Sequence, residues 1–314
     1  MIGREAAMFK RYNRNPILSP IKEHNWESRC VFNCAAYYNK GVHIVYRGMG
    51  FDQISHFGYA FSSNGYDIDK RLDKPIYSPA DKYETRGVED PRIVELNGNV
   101  YMTYAGFDGK KANVCMASLP VNKFLGNQWD WKRYSCILPV LPVPDKDDKN
   151  AALFPEKING RYALIHRIPP DIWISYSDDL INWEDHKILA SPRPGLFDEA
   201  KVGAGGPPIK TGKGWLFIYH GVQWKDKPNK KGFGAYSLGM MLLDLQNPEK
   251  IIFRSEYPVL TPAEEYEAQG YVADVVFTCG TVLIGDELFC YYGGADTVIC
   301  LATAKLNDIL RINK

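Results

Sequence analysis

Gly87-Val88-Glu89-Asp90-Pro91-Arg92, then Ile93-Val94-Glu95-Leu96, the turn Asn97-Gly98-Asn99 and Val100-Tyr101-Met102-Thr103-Tyr104 form the stretch on which the reading of this chain turns. Two apolar runs joined at Asn-Gly specify a β-hairpin, because these residues supply the positive φ that tight hairpin turns need. The start of the first run is unusual: an acid pair, a proline and an arginine stand where a strand begins. Proline is tolerated at a first strand position, but folding alone has no use for a charged cluster there.

The hairpin recurs. Val31 to Tyr38 turns at Asn39-Lys40-Gly41 into Val42 to Gly48, and Ala151 to Ile158 turns at Asn159-Gly160 into Arg161 to Arg167. Gly205 to Lys210 turns at Gly212-Lys213-Gly214 into Trp215 to Gly221, and Val275 to Ile284 turns at Gly285-Asp286 into Leu288 to Gly294. A third apolar run follows each pair (55–62, 112–118, 172–177, 236–243, 297–304). Units of three to four strands at intervals of roughly 50 to 75 residues predict an all-β chain, a five-bladed β-propeller with a central funnel-shaped active site. A β-sandwich is the alternative, and it would not explain the repetition. One propeller domain is expected over 1–314, with an N-terminal arm (1–25) able to reach a neighbouring subunit of a homo-oligomer. A short C-terminal segment (305–314) follows, with a helix expected over 307–314. The lysine-rich piece 225–232 reads as a solvated loop, or as a border of an acceptor site or oligomer contact.

The net charge of +1 gives no field that would favour nucleic acid or an anionic membrane. Aromatic residues make up 13% of the chain, which suits strands and stacking on sugar rings, although core packing would use them as well. The seven cysteines include no close CxxC pair and mostly lie in apolar runs, so they read as buried thiols of a reducing compartment. No apolar leader or membrane-length run is found, and the expected location is cytoplasmic.

In a propeller blade the start of the first strand, the end of the second and the start of the third share one rim. That rim collects Asn33, Asp90 and Asn150 from first-strand starts, with Lys201 just before the fourth. Arg47, Arg167, His220, Asp296 and Tyr236 come to it from the turns between second and third strands. The opposite ends carry Asn-Gly turns with little chemistry. Because successive strand side chains point to opposite faces, Glu89 and Asp90 are expected on opposite sides, which argues against a two-carboxylate glycosidase pair. A structural salt bridge from Asp90 to Arg92 or Arg86 is the competing reading. Arg167, Lys201 and His220 together would form an anion site, with Tyr236 adding a hydroxyl; singly, each could be a solvated or structural group. Asn33, Arg47 and Asp296 suit sugar hydroxyls, which need donors and acceptors, although Asp296 could be a plain turn residue. No metal-ligand spacing, Ser-His-Asp pattern or P-loop is present.

At these residues the chain resembles glycoside hydrolase family 130, the inverting β-mannoside phosphorylases, which are five-bladed propellers. The resemblance runs from about Trp26 to Ala304 and rests on Val31-Phe32-Asn33, Tyr46-Arg47, Gly87-Val88-Glu89-Asp90-Pro91-Arg92, and Ala152-Leu153-Phe154-Pro155-Glu156-Lys157. It continues through Lys201-Val202-Gly203-Ala204-Gly205, Tyr219-His220-Gly221-Val222, Tyr236-Ser237-Leu238-Gly239 and Gly293-Gly294-Ala295-Asp296. The resemblance implies that Asp90 is the general acid. Asn33, Arg47, Lys201 and Asp296 would hold the mannosyl unit, with Lys201 there or beside phosphate, and Arg167, His220 and Tyr236 would bind phosphate. Cys34 departs from the small hydroxyl residue that some members carry beside the asparagine. The implied reaction turns a β-mannoside and inorganic phosphate, the co-substrate, into α-mannose 1-phosphate and a shortened acceptor. No metal or organic cofactor is implied. A β-mannoside hydrolase on the same fold would need a second carboxylate to activate water, and a non-catalytic sugar-binding propeller would show one equivalent pocket per blade. Linkage, β-1,2 or β-1,4, and the acceptor stay open; loops 48–55 and 224–234 are expected to decide them.

Overall fold

The computed structural model describes residues 8–311, which fold into five antiparallel blades arranged around an axis, blades 1 and 2 joined into one sheet by a single parallel bridge between Ser55 and Gly87. Blade 1 contains Cys30–Tyr38, Val42–Met49, Ser55–Ser62 and Lys70–Arg71. Blade 2 contains Gly87–Leu96, Asn99–Phe107, Ala112–Pro120 and Lys132–Cys136. Blade 3 contains Lys149–Leu153, Tyr162–Ile168, Asp171–Ser177 and Glu184–Ala190. In blade 4, Lys201–Ala204 and Ile209–Thr211 both pair with Gly214–Asp226, and Lys231–Leu243 and Ile251–Arg254 follow. Blade 5 contains Val276–Ile284, Glu287–Gly294 and Val298–Lys305.

Five apolar cores, one per blade interface, hold the ring together. The core between blades 1 and 2 includes Val45, Phe57, Val88 and Tyr104, and that between blades 2 and 3 includes Val94, Met116, Leu153 and Leu164. Phe154, Ile165, Trp215 and Phe217 join blades 3 and 4. Ile218, Met240, Val276 and Tyr292 join blades 4 and 5, and Leu301, Tyr291, Ile44 and Tyr46 close blade 5 onto blade 1. Alternate residues of one strand serve alternate neighbours: Trp215 and Phe217 face blade 3 while Leu216 and Ile218 face blade 5. Both faces of each inner sheet are therefore buried, which is why these strands read as continuous apolar runs.

The described part of the N-terminal arm, residues 8–25, lies on its own chain, and residues 1–7 lie outside the described residues. Lys10–Arg11 pairs with Val298–Lys305 as the outer strand of blade 5, and Leu18 bridges to Ile299. The Arg11 guanidinium donates to both oxygens of buried Glu267 at 2.7 Å. The C-terminal helix spans Leu306–Arg311, its Ile309 packed in the core between blades 4 and 5; residues 312–314 of the expected helix lie outside the described residues. The lysine-rich piece departs from the expected loop. Its flanking strands pair out to Asp226 and Lys231, with Trp224 stacked on Phe233 at 5.8 Å, so blade 4 carries a long projecting hairpin. The cysteines are free, six of them buried and Cys136 partly so. Among the described residues no helix is long and apolar enough to cross a membrane.

Candidate active site

Three of the innermost strands begin with the same irregularity. Asn33, Asp90 and Asn150 have φ of +47°, +55° and +56°, and the ladder slips around each of them. Each is a β-bulge whose extra residue adopts the left-handed conformation, which Asn and Asp tolerate better than other non-glycine residues. The bulges turn these side chains toward the axis.

The same feature corrects the expectation that Glu89 and Asp90 face opposite ways. Strict alternation fails at a bulge, and both carboxylates reach Arg47. Arg47 Nη2 donates to Glu89 Oε1 at 2.8 Å, Nη1 to Asp90 Oδ1 at 3.2 Å and Nε to Ser55 Oγ at 2.8 Å. Its guanidinium also lies 4.6 Å from the centre of the Phe32 ring. Asn33 Nδ2 donates to Asp90 Oδ1 at 3.0 Å. Lys149 Nζ stands 3.7 Å from Glu89 Oε2. Phe32, Glu89 and Lys149 each precede a bulge residue, so equivalent positions of successive blades form one belt around Arg47. Neither Glu89 nor Lys149 was singled out from sequence as a site residue; the available signal was their place beside an Asn or Asp at a strand start.

The competing salt bridge to Arg92 is absent. Arg92 donates to the backbone oxygens of Asp90 (2.8 Å), Gly205 (2.6 Å) and Ala204 (2.9 Å), tying blade 2 to blade 4. It is fully buried, two residues below Asp90 along the strand. Arg86 is exposed.

Asn33, Arg47, Glu89, Asp90 and Lys149 line a cavity of about 180 Å³ together with Asn150, Arg167, Lys201, Tyr236, Val272, Val275, Phe277 and Asp296. The cavity is divided by charge. Glu89, Asp90 and Asp296 come with Arg47 and Asn33 from blades 1, 2 and 5, whereas Arg167, Lys201 and Tyr236 come from blades 3 and 4. Lys201 Nζ is 4.9 Å from the Tyr236 ring centre and 3.8 Å from that of Phe233 on the long hairpin, so it groups with the basic side. His220 is not among the residues that line the cavity. It is fully buried behind the cavity, stacked on Tyr236 (6.1 Å) and tilted against Phe277 (4.5 Å), with Nε2 3.5 Å from Arg167 Nη1. Since arginine can only donate, Nε2 accepts there, and the ring supports Arg167 from behind. Among the described residues, Asn33 Oδ1, Asn150 Oδ1 and Arg167 Nε are buried without a protein partner, as expected where a polar ligand completes the hydrogen bonding. A larger cavity of about 570 Å³ between blades 4 and 5, lined by Met240, Phe253 and Tyr257, holds none of these groups.

The charge division sets proton affinities. Burial raises that of Asp90, but Arg47, Arg92 and Lys149 outweigh it, with help from Asn33, and hold the carboxyl below its ordinary value. Asp296 is pushed up to about 7 by burial and by the Asp90 charge. Lys201 is pushed down to about 7 by burial, then by Arg167 and Lys149. Burial, Arg167 and Lys201 hold the His220 imidazole well below its usual range, so it is neutral. Of the two carboxyls, Asp296 therefore holds a proton more readily than Asp90.

The sequence profile of glycoside hydrolase family 130, described as beta-1,4-mannooligosaccharide phosphorylase, matches residues 8–314. The chain belongs to glycoside hydrolase family 130. It is 44% identical over 308 residues to the 1,2-beta-oligomannan phosphorylase of Thermoanaerobacter sp. (strain X514), covering 96% of this chain and 98% of that one. It is 42% identical to a beta-1,2-mannobiose phosphorylase of the same organism, covering 95% and 98%. The family 130 fold is equally plain in space. The beta-1,2-mannobiose phosphorylase of Listeria innocua, in complex with beta-1,2-mannobiose, superposes with a TM-score of 0.83 at 26% identity, covering 96% of this chain and 98% of that one.

Proposed function

We propose that this chain phosphorolyses short β-mannosides with inversion, giving α-mannose 1-phosphate and an acceptor sugar, and that the bond cleaved is β-1,2. The observation that carries the reaction is the division of one cavity into a carboxylate half and a basic half. Inversion places the attacking and leaving groups on opposite faces of the sugar ring. A hydrolase needs a base beside the attacking water, whereas phosphate arrives as an anion and needs cations. The half facing the carboxylates carries Arg167, Lys201 and Tyr236. Membership of the family supports the reaction, and the two relatives above 40% identity, both named for β-1,2 substrates, support the linkage.

In this reading Asn33, Arg47 and Asp296 hold the mannosyl unit. Asp90 supplies a proton to the departing oxygen, directly or through a sugar hydroxyl. Phosphate bound against Arg167 and Lys201 adds negative charge facing Asp90 and offsets the cationic field, which raises the proton affinity of Asp90 when catalysis needs it. Lys149 holds Glu89, and Glu89 holds Arg47. Incubation with β-1,2-mannobiose, with and without phosphate, is the test. Phosphate-dependent formation of mannose 1-phosphate is expected. Mannose release without phosphate would make the chain a hydrolase, binding without turnover would make it a sugar-binding protein, and turnover of β-1,4- but not β-1,2-mannobiose would reverse the linkage.

A further inference from the structure

The donor cavity is small. Its volume of about 180 Å³ lies below the roughly 300 to 1,000 Å³ of pockets that enclose a drug-sized ligand. With a mannosyl unit inside, the acceptor part of the substrate must rest outside, on the rim. Inversion says which rim. Arg167, Lys201 and Tyr236 place phosphate on the side of blades 3 and 4, so the leaving group departs toward the opposite arc, formed by blade 1 and its flanks.

That arc presents an unusual surface. Phe51 is 75% exposed and Tyr271 45% exposed. The Arg29 guanidinium lies 4.7 Å from the Tyr271 ring centre and 5.9 Å from that of Phe51. The three are anchored to elements that line the cavity. The N–H of Arg29 donates to the carbonyl of Met49, two residues beyond Arg47 on the same strand. The N–H of Tyr271 donates to Thr297 Oγ1 at 2.8 Å, and that of Val272, itself a cavity residue, to the carbonyl of Ala295 at 3.1 Å. These two bonds fasten the segment to the turn carrying Asp296. At Gly270 a Cβ would fall 2.4 Å from Thr297 Oγ1 and 2.5 Å from the Ala295 oxygen, so the close approach requires glycine.

We propose that Phe51, Arg29 and Tyr271 form the platform that receives the acceptor part of the β-mannoside, an uncharged glycosyl unit, and so govern acceptor choice and chain length. The proposal rests on the phosphorolysis reading above. A sugar has apolar C–H faces and a hydroxyl edge, which match aromatic faces interleaved with a fork of donors. Phe233, with Trp224 stacked on it, lies over Lys201 and borders the phosphate side instead.

The test is synthesis from mannose 1-phosphate with mannose, β-1,2-mannobiose and β-1,2-mannotriose as acceptors, comparing wild type with Phe51→Ala, Tyr271→Ala and Tyr271→Phe. Each alanine variant is expected to raise the acceptor KM roughly three- to ten-fold, with the KM for mannose 1-phosphate within about two-fold of wild type and an unchanged melting temperature. Tyr271→Phe keeps the ring and recovers most of the loss. Unchanged acceptor KM values in both alanine variants, with wild type active, overturn the proposal alone. No synthesis by wild type overturns the phosphorolysis reading and the platform with it.

Discussion

Asp90 lies in the field of Arg47, Arg92 and Lys149, which hold its carboxyl below its ordinary value; in the proposed reaction, phosphate bound opposite relieves that field. Asn at this position preserves the left-handed backbone and the shape while removing the acid. Asp90→Asn is expected to lower kcat about 10²- to 10⁴-fold without changing the thermal melt; a variant with near wild-type kcat would remove Asp90 from the chemistry. Lys201 gives a pH signature. Its proton affinity is depressed to about 7, so the free enzyme loses this ammonium as pH rises through that value. The kcat/KM for phosphate should fall above about pH 7 in wild type and fall less in Lys201→Arg, whose guanidinium stays charged. Comparing the two enzymes cancels the titration of phosphate itself, and parallel profiles would place Lys201 away from phosphate. Which polar residues gather at one rim was legible in the sequence, because strand starts and turns are punctuated by Gly, Asn and Pro. The orientation of Glu89 was not, because period-two reasoning cannot see a bulge. The burial of His220 was not either, since a histidine at a strand end gives no sign of the rings packed on it.

At the scale of elements, each inner strand depends on its bulge. Asn150 holds φ of +56° in blade 3. Asn150→Val should destabilise by about 1–3 kcal/mol, since a β-branched residue is strained there. Asn150→Gly should lose less, although it removes more atoms. Urea unfolding of the two variants checks the order, and a more stable valine variant would mean that the backbone conformation is not the constraint. The hairpins were readable because their turn chemistry and apolar runs agree. The closing strand of blade 5 was not, because Lys10–Arg11 is too short to show a period and its partner lies nearly three hundred residues away, at Thr303 and Ala302.

That closing strand matters for the whole ring. A propeller is held by each interface at once, and the N-terminal arm seals the last blade. Arg11→Ala would leave the Glu267 carboxylate buried with only the Tyr292 hydroxyl and backbone N–H groups around it. Breaking such a pair costs roughly 3–5 kcal/mol. Chemical denaturation should show this loss as a shift of the whole transition. A local change in blade 5 alone, with the global midpoint unmoved, would mean that the blades unfold independently.

Arg92 has a consequence for traffic. By bridging blade 2 to Ala204 and Gly205, it stands between the donor cavity and the hollow at the far end, which Ile93, Pro207, Pro208 and Thr281 line. With Arg92 standing there, the donor cavity is served from one end of the ring. Whatever enters must leave by the way it came, and the outermost occupant leaves first. In the breakdown direction the acceptor departs before mannose 1-phosphate, and in synthesis mannose 1-phosphate must be seated before any acceptor can follow. Product-inhibition kinetics would then show a compulsory order, fixed by a single buried guanidinium that never touches the sugar.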